Sequence, residues 1–204
     1  MSRIEGRIVV VTLSAKRIGR LFGLVLCLIF FSALSTAGEI EFAHVEHEGN
    51  EYRLKLTMQV EAGQKDVLAL LTDHDNFHEI SEVLIESGRL QDGPGDKTRR
   101  RVVVETCIVF FCFRAVMVED MEEFSGGRLL AIMIPEESDF GYGRTEWQVN
   151  PVGAARSEII YRCELQPDFW IPPVIGPYLL KRKMVKEARD TILNMERLAS
   201  VDKH

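Results

Sequence analysis

Cys107 and Cys112 flank the apolar run Ile108-Val109-Phe110-Phe111. Set opposite each other in a hairpin, two such cysteines bring their Cα atoms within disulfide range. A bond there would pin a turn that has no Gly or Asn, and closing so small a loop contributes roughly 2 kcal/mol. Two buried thiols are the alternative. Cys163 stands apart and is expected as a buried free thiol. His74 and His78 share the i, i+4 spacing that puts two imidazoles on one helix face, with Asp73, Asp75 and Glu79 near them. Structural zinc takes four N or S ligands, and Asp-His-Asp-Asn is turn composition, so no metal is expected. Glu105 and Glu119 could act as general acids if buried. No Gly-X-Ser-X-Gly, phosphate-cradling loop or dinucleotide fingerprint occurs, so no catalytic residue is nominated and no cofactor is expected.

The remaining candidates are apolar. Between Arg144 and Val149, Trp147 shares a strand face with Thr145 and Val149. Between Ser157 and Leu165, Ile159, Tyr161, Cys163 and Leu165 share another, because side chains alternate along a strand. Trp147 and Tyr161 are two flat walls, and the Tyr161 hydroxyl is a polar anchor of the kind that orients a ligand in an apolar pocket. Met117, Met133, Phe140, Met184 and Ile192 complete the ligand-binding set, with Phe110, Phe113 and Met195 as weaker members. Ordinary core packing is the competing reading of all of them, since methionine fills core gaps as readily as it lines binding surfaces.

These residues need a frame. Glu51 to Val60 alternates as a half-buried strand, and Gln64 to Leu71 reads as a short helix. Thr72 to Glu82 is turn-rich, and Val83 to Leu90 is a second strand ended by Asp92-Gly93-Pro94-Gly95. Lys97 to Phe124 has strand composition throughout. Few strands exceed ten residues, so a turn is hidden inside it, best placed between Cys107 and Cys112. Strands follow at Arg128–Ile134, Arg144–Val149 and Ser157–Leu165. From about Pro177, Leu180, Met184, Ala188, Ile192, Met195 and Ala199 recur at helical spacing. The expectation is an α+β fold, with a curved antiparallel sheet of six or seven strands wrapped around a long C-terminal helix.

Residues 1–37 read as a targeting segment. Lys16, Arg17 and Arg20 precede the apolar run Leu21–Leu34, and Ser35-Thr36-Ala37 supplies small residues for cleavage. The expected product is an exported, periplasmic domain. An uncleaved membrane anchor is the alternative. Residues 38–50 read as a flexible lead-in holding His44 and His47, and residues 51–200 as the ligand-binding domain. Cleavage removes five basic residues against Glu5 and takes the net charge from −6 to −10. So acidic a domain is no nucleic-acid binder, because phosphate contacts need clustered Lys and Arg. The two basic clusters, Lys97–Arg101 and Lys181–Lys186, read as solvated faces. The apolar stretches Ile108–Phe111 and Phe169–Ile175 are candidates for transient membrane contact or for the pocket mouth.

With these elements in order, ALLTDHDNFHEI (69–80), FGYGRTEWQVNP (140–151) and SEIIYRCELQPDFWIPP (157–173) carry a resemblance. The chain resembles the START-like (SRPBCC, helix-grip) superfamily over about Glu51 to Ser200, near its coenzyme Q-binding and polyketide cyclase/dehydrase branches. The resemblance implies a hydrophobic pocket under the long helix, holding a lipid, quinone, sterol or polyketide. Exported binding of such a molecule is the expected function. A cyclase, dehydrase or hydrolase using the same pocket, or a protein-interaction module, are the alternatives.

Overall fold

The computed structural model describes residues 38–108, 110–169 and 176–201. Residues 1–37, on which the targeting-segment reading falls, lie outside them. Eight strands form one antiparallel sheet: β1 (Ile40–Glu48), β2 (Glu51–Val60), β3 (Leu84–Asp92), β4 (Thr98–Ile108), β5 (Phe111–Phe124), β6 (Arg128–Met133), β7 (Phe140–Pro151) and β8 (Ser157–Pro167). Their spatial order is β1-β2-β8-β7-β6-β5-β4-β3. Strands β3 to β8 run as a meander. The chain reaches β3 from β2 by way of helix α1 (Gln64–Thr72) and a 3-10 turn at Phe77–Ile80. Helix α2 (Gly176–Val201) follows β8. The architecture is the expected helix-grip α+β fold, with a curved, unclosed sheet.

One strand more than expected is present, and it corrects the reading of 38–50 as a flexible lead-in. β1 pairs with β2 along its length, from Ile40 opposite Met58 to Glu48 opposite Glu51. Its sequence IEFAHVEHE hides the pattern because it is an edge strand. Edge strands are commonly charged and lightly apolar, and only Ile40, Ala43 and Val45 reach the core. Gly49 takes φ +62°, as the tight turn into β2 requires. His44 contacts Glu46, and His47 stacks on Tyr52. Strand β7 also begins earlier than expected, at Phe140, because Gly141 and Gly143 continue in the strand.

One face of the sheet carries Leu54, Leu56, Met58 and Val60 of β2, Val149 and Trp147 of β7, and Ile159 and Cys163 of β8. Against them pack Ala188, Ile192, Met195 and Ala199 of α2. This is the period-3.6 stripe of the helix meeting the period-2 face of the strands. The helix sits most closely on β1 and β2 at one edge of the sheet and also touches β4 toward the other. At its C-terminal end the Glu196 carboxylate accepts backbone N–H bonds from Gly38 and Glu61, both at 2.9 Å. Those bonds tie the helix to the β1–β2 edge.

Candidate functional site

The alternation of β7 and β8 decides which side chains meet. Trp147 lies opposite Tyr161, and Thr145 lies opposite Cys163. The Trp147 and Tyr161 rings are 5.6 Å apart, and Phe77 meets Trp147 edge-on at 6.5 Å. Thr145 Oγ1 donates to Cys163 Sγ at 3.5 Å, and the Tyr161 hydroxyl lies against both residues. Trp147, Val149, Ile159, Cys163 and Ile192 are buried in one cluster, with Tyr161, Met117 and Met184 half-buried against it. Met133 and Phe140 belong to a second, smaller cluster with Ala115. There Met117 and Leu165 join the two groups, and Phe169 packs on the outside. All ten candidate residues therefore lie in the interior. Gly143 is what admits Met133: a Cβ at Gly143 would come within 3.0 Å of three Met133 side-chain atoms.

The same sheet face holds a charged pair that the reading of Lys97–Arg101 as a solvated face misses. The cluster divides by strand alternation. Arg99 points outward to Asp120 and Glu137, and Arg101 bonds Glu86. Arg100 is 1% exposed. Its Nε and Nη2 both approach Glu119 Oε1 at 2.6 Å, and Nη1 donates to the Leu71 carbonyl at 3.3 Å. Its guanidinium lies 3.8 Å from the centre of the Phe77 ring. The parity of Arg100 with Val102 and Val104 was the available signal, outweighed by the charge of its neighbours. Of the two candidate acids, Glu119 is buried. Glu105 is on the outer face, with its side chain about half exposed.

Burial pushes the Tyr161 phenol well above the ordinary tyrosine range, and burial also raises the Cys163 thiol. Both are protonated donors near neutral pH. Cys163 is free, as expected. Desolvation lowers His74, aided by the charge of Arg100. His78 is turned to Ser87, with Nδ1 2.9 Å from the Ser87 hydroxyl.

Cys107 and Cys112 pair across the β4–β5 hairpin and form a disulfide. At the tip beyond them Phe110 is 90% exposed. Phe169, which opens the second apolar stretch, packs on Phe113 and Phe140 at 5.7 and 5.5 Å. Residues 170–175 of that stretch lie outside the described residues. A crevice of about 310 Å³ also lies between α1 and the end of α2, lined by Leu70, Asp73, Asn76, Glu79, Leu198 and Val201. Its lining is half apolar and half polar, and none of the candidate residues is part of it.

A family model for polyketide cyclase/dehydrase and lipid transport proteins matches residues 52–201. The chain belongs to that family. The START-like resemblance is thereby borne out, and solved structures agree on the fold. A START superfamily protein from Mycobacterium smegmatis is 14% identical, with a TM-score of 0.58 over 72% of this chain and 98% of its own. The Zhui aromatase/cyclase from Streptomyces sp. R1128 is 13% identical, with a TM-score of 0.57 over 76% and 96%. Human StAR-related lipid transfer protein 5 is 7% identical, with a TM-score of 0.55 over 94% and 100%. A search of curated proteins finds no match. The family makes this a START-like domain of the hydrophobic ligand-binding or cyclase kind.

Proposed function

We propose that this protein is an exported domain that holds a hydrophobic small molecule, a lipid, quinone or polyketide-like compound, between α2 and the sheet. One observation carries the reading. Met117, Tyr161, Leu165 and Met184 lie on the interior side of their elements and pack on the core, yet each keeps accessible surface. Tyr161 does so while burial raises its phenol. Apolar side chains that face inward without being covered line a space, and filling it removes apolar area from water. The ten candidate residues are the proposed lining. Export is supported by the N-terminal segment and by the Cys107–Cys112 disulfide, since such bonds persist in oxidising compartments. The exposed Phe110 supports transient membrane contact through Ile108–Phe111.

The test is native mass spectrometry of the protein purified from a periplasmic fraction, followed by organic extraction. A co-purifying lipid, quinone or polyketide-like molecule is expected, together with a lower yield of it after Met117→Trp, which fills the space. An apo mass that persists after incubation with a membrane lipid extract would overturn the reading. The cyclase, dehydrase or hydrolase alternative draws on a second observation, the buried Arg100–Glu119 pair on the same sheet face as Tyr161. Turnover of a polyketide-like chain that Glu119→Gln abolishes in a folded variant would favour it.

A further inference from the structure

We propose that the interior selects ligands by an uncharged, hydrogen-bonding head, a carbonyl or hydroxyl group. That head would sit against Tyr161 and Thr145, with its apolar body lying toward Met117, Leu165 and the Phe113–Phe140–Phe169 group. The inference rests on the ligand-binding reading above and adds the chemistry of the head. Among the described residues Arg100 and Glu119 are the buried charges. They are taken up by each other, by the Leu71 carbonyl and by the Phe77 ring. The pair sums to zero charge, and its guanidinium is already engaged by Glu119, the Leu71 carbonyl and the Phe77 ring. A carboxylate or phosphate brought into this space would lose its water and find no free cation, and an unpaired buried charge is strongly disfavoured.

Neutral donors are placed differently. Thr145 donates to a thiol sulfur, and the Tyr161 hydroxyl has that same thiol and Thr145 for neighbours. Sulfur is a weak acceptor, so the bond from Thr145 to Cys163 is a poor one. Among the described residues the Tyr161 hydroxyl has only that thiol and the Thr145 hydroxyl as side-chain hydrogen-bond partners. A carbonyl oxygen is a better acceptor. The phenol remains protonated far into the alkaline range, so it can donate at any physiological pH. Beside it the Trp147 ring, 5.6 Å from Tyr161, offers a flat face against which a ring-shaped head can lie. Away from this point the wall changes character. Ala115, Met133 and Phe140, with Met117, Leu165 and Phe169 against them, form a wholly apolar cluster that ends near the hairpin bearing Phe110. The interior is thus polar at one end, where its charges are confined to the Arg100–Glu119 pair, and apolar at the other.

Equilibrium dialysis of the purified protein against three probes with the same alkyl tail tests this. The probes are a decyl-substituted benzoquinone, decylbenzene and decanoate, at neutral pH. The quinone is expected to bind about tenfold more tightly than either of the others. Tyr161→Phe is expected to weaken quinone binding about three- to tenfold, the worth of one hydrogen bond, and to leave decylbenzene unchanged. Thr145→Ser, which keeps the hydroxyl, should retain quinone binding, while Thr145→Val should weaken it. Decanoate binding as tight as the quinone would overturn the inference. So would decylbenzene binding equally well, or a Tyr161→Phe protein with its quinone preference intact; in both cases the pocket itself would stand. Failure of all three probes to bind a protein that unfolds cooperatively would instead overturn the ligand-binding reading and the inference with it.

Discussion

Two polar groups lie on the same inner face of this sheet and differ in what they leave undone. Arg100 and Glu119 are both charged, and each is supplied with partners. Tyr161, Thr145 and Cys163 are neutral, and they bond mainly to one another, in part through a thiol, which is a weak acceptor. Burying charge in a low-dielectric interior is tolerated only when it is paired and hydrogen-bonded. The first group therefore has one stable arrangement, which joins β4, β5, α1 and the Phe77 turn. Burying a neutral hydroxyl costs far less than burying a charge, so the second group is under no such constraint. The contrast separates a polar cluster that holds the fold from the one proposed to serve a ligand.

The most forceful way to break the contrast is to remove half of the ion pair. Arg100→Met or Glu119→Gln should each destabilise the protein by about 3–5 kcal/mol, because the remaining partner stays buried without compensation. Replacing both, as Arg100→Met with Glu119→Leu, should recover much of that loss. Urea titration of the three variants reads the difference. If the double variant were as unstable as the sum of the single ones, the pair would not be acting as a unit. Tyr161→Phe should by contrast cost only about 0.5–1.5 kcal/mol.

The alkaline limb sharpens the same point. Because the folded Tyr161 phenol lies above its unfolded value of 10.0, the unfolded chain releases that proton first as pH rises. Stability should be full below pH 10 and fall above it. Tyr52 and Tyr142 are raised in the same direction by burial, so the wild type and Tyr161→Phe should both lose stability there, the wild type more steeply. Parallel curves would show that Tyr161 is not buried as described. The smallest effect is on the acid side. His74 is lowered from 6.5 by burial and by Arg100. Its contribution should therefore be present above pH 6.5 and fade as pH falls through its lowered folded value. Arg100→Met should move the His74 titration upward in an NMR pH series. An unmoved titration would place His74 outside the field of the ion pair.

What the sequence disclosed follows from how each element announces itself. β7 and β8 alternate cleanly, so Trp147, Val149, Ile159 and Cys163 could be assigned to one face from residue order alone. The helix stripe Ala188, Ile192, Met195, Ala199 was equally plain. The hidden turn between Cys107 and Cys112 followed from strand length. Arg100 was obscured because Lys97–Arg101 is read by its charge before its parity, and one inward guanidinium looks like its outward neighbours. Its partner Glu119 is nineteen residues distant, a pairing that no local pattern contains. β1 was hidden for the opposite reason: an edge strand has little apolar content to show. Phe77, which supports both Arg100 and Trp147, sits in a polar stretch where one buried aromatic breaks no pattern.

The pairing of β2 with β8 also governs the order in which the molecule can be made. Tyr52 meets Leu165 and Val60 meets Ser157, contacts that span about a hundred residues of chain, and loop closure of that length slows folding. Strands β3 to β7 join their neighbours through hairpins and can assemble as they emerge. The β1–β2 hairpin has no such neighbour until β8 is synthesised, and an isolated two-stranded hairpin is marginal in water. The first strands of the domain are therefore among the last to find their places, and the sheet beneath α2 joins its β1–β2 edge only when the chain is all but complete.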